Sequence, residues 1–207
     1  MAVIPCLSIA TKSSCVRLSR MHPRLAELIQ YAVRQRAELL SAVDDVPESG
    51  RDVKVDVSAW SVAEILEHLH RVEDGIARLL TRRVERARAD GAPLEHEDGS
   101  LLSSLDVFRL PERSYAVAAP ESVLPRGELT ATAALGALAD SRRALMDAAS
   151  AANGLALGTI TYAHPLMGSL TLYQWILFVG QHELRHARQI HLISAHLRAQ
   201  NDTREMH

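Results

Sequence analysis

Apolar residues recur at helical spacing in four stretches of the chain, separated by polar or proline-bearing connections. The first begins at Pro23, a residue suited to an opening helical turn. Leu25, Leu28, Ile29, Ala32, Leu39 and Leu40 form its stripe, which ends near Val43 before a polar connection with Pro47 and Gly50. The second has the sharpest start. Ser61-Val62-Ala63-Glu64 reads as a capping box, with Trp60 and Ile65 placed as a hydrophobic staple. Its stripe, Val62 to Val84, continues towards Ala89 and stops at Asp90-Gly91. The third runs from about Glu128 to Ala151, with Leu129, Leu135, Leu138, Leu145 and Met146 inward. A looser segment, Asn153–Ser169, leads to the fourth. That helix opens on a second capping box, Thr171-Leu172-Tyr173-Gln174, with a second staple between Leu170 and Trp175, and extends to about Leu197.

These stripes predict an all-α fold, a four-helix bundle. Between the second and third helices lies Gly91–Arg126, with Pro93, Pro111, Pro120 and Pro125. Structureless connections of this length are uncommon in compact domains. A crossover returning along the second helix, so that helices two and three run parallel, accounts for it. One domain over residues 21–200 follows, with a short tail at 201–207. Residues 1–20 contain no acidic residue and no helical periodicity, which suits a disordered leader, a targeting peptide or an over-extended start before Met21.

Composition narrows the function. The chain has 207 residues, is 47% hydrophobic and only 4% aromatic, and holds ten glycines, a balance that leans towards helices. A formal charge of −2 gives no basis for a nucleic-acid partner, and no apolar run approaches the ~20 residues needed to cross a bilayer. Cys6 and Cys15 lack metal-type spacing with a nearby histidine, and the cysteine-free body fits a reducing, cytoplasmic setting. No nucleophilic serine motif, glycine-rich phosphate loop or CxxC is present.

The histidines carry the candidate chemistry. His182 and His186 stand one turn apart on one face of the fourth helix, about 40° apart around its axis, so both imidazoles can grip one ion. A third ligand must come from elsewhere. His68, at the edge of the second helix's apolar stripe, can reach the bundle interior, whereas His70 is about 200° further round. The competing account makes His68 a half-buried histidine bonded to backbone or to a glutamate, and His182 and His186 a surface pair. His191 should face away, His196 lies about 21 Å along the axis, and His164 reads first as a turn residue near the bundle mouth. Arg185 and Gln189 fall within about 60° of His182. Gln189 could orient a ligand, and Arg185 could hold a substrate carboxylate. Glu64, one turn before His68, could accept its second ring proton.

Trp60-Ser61 through Glu64 to His68-Leu69 and Glu73, then His164-Pro165-Leu166-Met167-Gly168-Ser169-Leu170-Thr171, Trp175 and His182-x-x-Arg185-His186-x-x-Gln189-Ile190, resemble the DinB-like superfamily. The likeness is to its YfiT-like branch of metal-dependent hydrolases and thiol transferases. It implies a four-helix bundle with a long crossover between helices two and three. It also implies a divalent metal, zinc or nickel, held by His68, His182 and His186. Three imidazoles leave open coordination positions, as in catalytic sites, and an all-histidine set also suits copper or iron. Relatives that use bacillithiol, mycothiol or glutathione imply a low-molecular-weight thiol as cosubstrate, with a small-molecule substrate. Some relatives pair into homodimers. A bundle that holds a metal without turnover, or a purely structural dimer, is the alternative.

Overall fold

The computed structural model describes residues 20–112 and 119–205. Four long helices dominate it: α1 (Pro23–Asp44), α2 (Val62–Ala89), α3 (Ala131–Ala152) and α4 (Leu172–Glu205). Residues 1–19, on which the expectation of a disordered leader falls, lie outside the described residues.

Local chemistry sets the helix bounds. Ser61 Oγ accepts the Glu64 N–H at 3.2 Å and Glu64 Oε2 accepts the Ser61 N–H at 2.9 Å, closing the expected box at the start of α2. Thr171 and Gln174 close the second box in the same reciprocal way, at 3.2 and 3.0 Å. α3 begins at Ala131, later than the expected Glu128, because Thr130 is its cap and accepts the Ala133 N–H. α4 runs on to Glu205, about two turns past the expected end near Leu197. Neither glycine nor proline interrupts it there.

Tertiary contacts define the topology. Glu67 accepts the backbone N–H groups of Arg126 and Gly127, just before α3. Glu73 meets Ser141 and Arg142, and Arg88 reaches the Ala151 carbonyl near both C-terminal ends. Contact positions advance together along the two helices, so α2 and α3 are parallel, as the long crossover requires. The same holds for α1 and α4, through Arg36 with Glu183 and then the Asp45 carbonyl with Ser194. At Gly180 the two come so close that a Cβ would lie 2.7 Å from the Tyr31 ring. The described residues of the crossover form three short 3-10 turns and bury Leu105 and Leu110.

One element departs from expectation. The segment before α4 holds an antiparallel hairpin, β1 (Thr161–His164) and β2 (Gly168–Thr171), with His164 opposite Gly168. β1 buries none of its residues and β2 only Leu170, so no apolar–polar alternation marks the pair in the sequence. Gly168 has φ +75°, where other residues are strained.

The apolar core is split. One cluster includes Ile29, Leu80, Leu145 and Ile176, the other Leu39, Leu66, Leu138 and Ile190. On every helix a polar residue falls between them: Arg36 on α1, Glu73 on α2, Arg142 on α3 and Glu183 on α4. Arg36 bridges both glutamates at 2.6 and 2.7 Å, and Arg142 does so at 2.5 and 2.8 Å. Ser141 Oγ donates to Glu73 as well, at 2.8 Å.

Candidate metal centre

His68 on α2 and His182 and His186 on α4 converge beside this polar layer. Their nearest ring nitrogens all lie within 4.8 Å of one another. His182 Nε2 stands 3.3 Å from His68 Nε2 and 3.1 Å from His186 Nε2. Nitrogen ligands at about 2.0–2.1 Å around a tetrahedral ion stand roughly 3.3–3.4 Å apart, so the spacing is close to that of a metal-binding set.

Proton positions sharpen this. His68 Nδ1 lies 2.7 Å from the Val123 carbonyl. A carbonyl only accepts, so Nδ1 carries the proton and Nε2 turns a lone pair inward. His186 Nδ1 donates to Gln189 Oε1 at 2.9 Å, which leaves its Nε2 likewise a lone pair. His182 Nε2 can offer at most one N–H to these two acceptors. At least one pair of lone pairs therefore faces without a proton between, an arrangement that a cation relieves. The donor set fits a divalent ion.

Electrostatics keep the rings in the ligating form. Burial pushes His186 down to about 3, aided by His68 and Arg185 against the Gln189 hydrogen bond. His182 is lowered well below the ordinary histidine value by burial and by its histidine and arginine neighbours. Burial, then Arg185, lowers His68. All three are neutral at pH 7.

Second-sphere expectations divide. Gln189 orients His186, as its position on α4 allows. Glu64 does not serve His68: its carboxylate is taken by the Ser61 N–H and by Lys54 at 2.9 Å. The Val123 carbonyl takes the place expected of Glu64, supplied by the crossover.

The site opens into a cavity of about 1050 Å³. Val72, Ile76, Leu79, Met167, Trp175 and Phe178 are among its walls, and Arg185 and Gln189 also face it. Two residues there escaped the sequence reading. Trp60, read as a staple, places its ring 4.9 Å from that of His68 and stacks at 6.4 Å on His186. His164, read first as a turn residue near the bundle mouth, lines the cavity, packs 4.9 Å from Phe178 and is lowered by burial to about 4. Phe178 in turn stacks on His182 at 5.0 Å. The His164-Pro165 run was the available signal for the second. Of the other histidines, His191 faces away, as expected, towards Glu38 and Asp45, and His196 is exposed and bonds Gln200.

The family model of the DinB superfamily matches residues 20–190. The chain belongs to that superfamily. It is also 26% identical over 155 residues to the uncharacterized protein YuaE of Bacillus subtilis (strain 168), covering 75% of this chain and 90% of that one. No solved structure matches. Among the described residues, no helix is long and apolar enough to cross a membrane.

Proposed function

We propose that the protein is a metal-dependent transferase or hydrolase whose zinc or nickel ion is held by His68, His182 and His186. In this reading it joins a small cytoplasmic thiol, or water, to an electrophilic compound seated in the adjoining cavity. The observation that carries the reading is the convergence of inward-facing Nε2 lone pairs at the foot of a large apolar cavity. Bound there, a divalent cation supplies the Lewis acidity that makes a thiol or water nucleophilic near neutral pH.

The chain's own residues have separable tasks. The Val123 carbonyl and Gln189 fix the tautomers of His68 and His186. Trp60 packs against His68 and His186, and Phe178 stacks on His182, so apolar rings bear on all three imidazoles. Arg185 presents a positive charge to the place where negative charge would gather during attack. The resemblance of the motifs around His68, His182 and His186 to the YfiT-like branch supports this reading.

Elemental analysis of the purified protein tests it. About one divalent ion per chain is expected, falling below a tenth of that in His68→Ala and in His186→Ala. Metal-loaded protein should then consume thiol with an electrophilic acceptor, or hydrolyse it. Tight metal binding with neither activity would favour a non-catalytic metal-binding bundle. Wild-type protein that neither retains nor takes up metal would leave the structural dimer.

A further inference from the structure

Aromatic side chains are scarce in this chain and gathered in one place. It holds two tryptophans, four tyrosines and two phenylalanines. Both tryptophans, Tyr162 and Phe178 line the cavity. Two elements account for the gathering. On α4, Trp175, Phe178 and His182 recur at helical spacing and share a face. On β1, Tyr162 and His164 are two residues apart and share one face of the strand. Trp175 Nε1 donates to the Tyr162 carbonyl at 3.2 Å and ties the hairpin to the helix.

Together they make a continuous wall of rings. Tyr162 lines the cavity and is 42% exposed, which places it at the rim. It lies 6.3 Å from Trp175. His164 packs 5.1 Å from Trp175 and 4.9 Å from Phe178, and Phe178 stacks on His182 at 5.0 Å. Each spacing is one at which aromatic rings attract, in tilted, edge-on or stacked geometry. The run leads from the rim to the clustered imidazoles.

His164 gives this wall a polar handle. Its Nδ1 accepts the Leu166 N–H at 3.1 Å. A neutral ring with that nitrogen accepting carries its proton on Nε2, a donor at the far edge of the imidazole. Burial holds the ring neutral at pH 7, with a value of about 4. A neutral donor set among apolar rings matches an uncharged oxygen acceptor.

We propose that the substrate held in this cavity is an aromatic compound bearing a carbonyl-type oxygen, its ring against Trp175 and Phe178 and its oxygen on the His164 Nε2–H. His164 is then a specificity-determining residue. The proposal rests on the preceding function, whose acceptor class it names, but the binding it describes needs no metal.

Full-length protein, as purified and after chelation, is titrated with acetophenone, cyclohexyl methyl ketone and ethylbenzene, and dissociation constants are read by ligand-observed NMR. Acetophenone should bind saturably and about three- to tenfold more tightly than cyclohexyl methyl ketone, the scale of one aromatic contact. Phe178→Leu should reduce that preference, with the aliphatic ketone still bound as proof of an intact cavity. His164→Phe keeps a ring and removes the donor. Acetophenone should then weaken about three- to tenfold, the scale of one neutral hydrogen bond, while ethylbenzene is unchanged. His164→Gln, whose amide N–H can serve the same oxygen, should restore part of the loss. The pattern should be the same in chelated protein.

Equal binding of acetophenone and cyclohexyl methyl ketone overturns the proposal, as does a preference untouched by Phe178→Leu. An equal loss of acetophenone and ethylbenzene in His164→Phe, or no loss of either, overturns the hydrogen bond. A His164 effect that vanishes on chelation moves the oxygen to the metal, which overturns this proposal while supporting the metal reading. The full pattern in a protein that takes up no metal sustains this proposal and overturns the metal reading.

Discussion

Burial holds the clustered imidazoles neutral, so an incoming cation at pH 7 need not drive a proton off a charged ring. What fixes the direction of each ring is its outer nitrogen. Gln189→Leu removes the acceptor of His186 Nδ1 and should weaken metal affinity about 10–100-fold, read by competition with a chromophoric chelator. His164 gives a pH prediction. Its folded value of about 4 lies below the ordinary 6.5. Above pH 6.5 neither the folded nor the unfolded form takes its proton. From 6.5 down to about 4 the unfolded chain takes a proton that the folded one refuses, so stability falls as pH falls. The apparent Tm should decline through that window, less steeply in His164→Gln. Spacing on one helix made His182 and His186 legible, and position on an apolar stripe singled out His68. Trp60 and Val123 were not legible as site residues, and His164 only as a turn near the bundle mouth, because their roles depend on which segments lie across from them.

At the level of single elements, capping and close approach decide. Ser61→Ala opens the box at the start of α2, the helix that delivers His68, and should cost about 1 kcal/mol in urea unfolding. Gly180 is a glycine inside a long helix, a position that ordinarily loses stability. Here the absence of a side chain lets α4 meet α1 at the Tyr31 ring and the Ala32 backbone. Gly180→Ala, favourable by helix propensity, should instead destabilise by about 1–3 kcal/mol through overpacking, seen as a lower denaturation midpoint. Both capping boxes were legible because each uses contacts only three residues apart. The hairpin before α4 was not, since its pairing shows only once both strands are placed.

Across the whole molecule, the Arg36–Glu73–Arg142–Glu183 layer ties together all four helices between the two apolar clusters. Burial pushes the Glu183 carboxyl up while Arg142 and Arg36 pull it down. Removing one cation leaves carboxylates in a desolvated layer with too few partners. Arg142→Met should therefore destabilise by roughly 3–5 kcal/mol, measured by chemical denaturation. The layer adjoins the site, for Glu183 follows His182 directly and Glu73 lies five residues beyond His68.

Local periodicity, capping and the length of one connection were enough to determine four helices, a parallel second and third, and the face on which each candidate histidine stands. Those properties depend on neighbours within a turn or on chain length, so the sequence contains them whole. Only the tertiary structure decided that the three imidazoles converge, that a backbone carbonyl at Val123 replaces Glu64, and that four scattered charges close into one layer. Each of these joins residues from different elements, and their meeting is set by helix packing and crossover path, which no single stretch of sequence encodes.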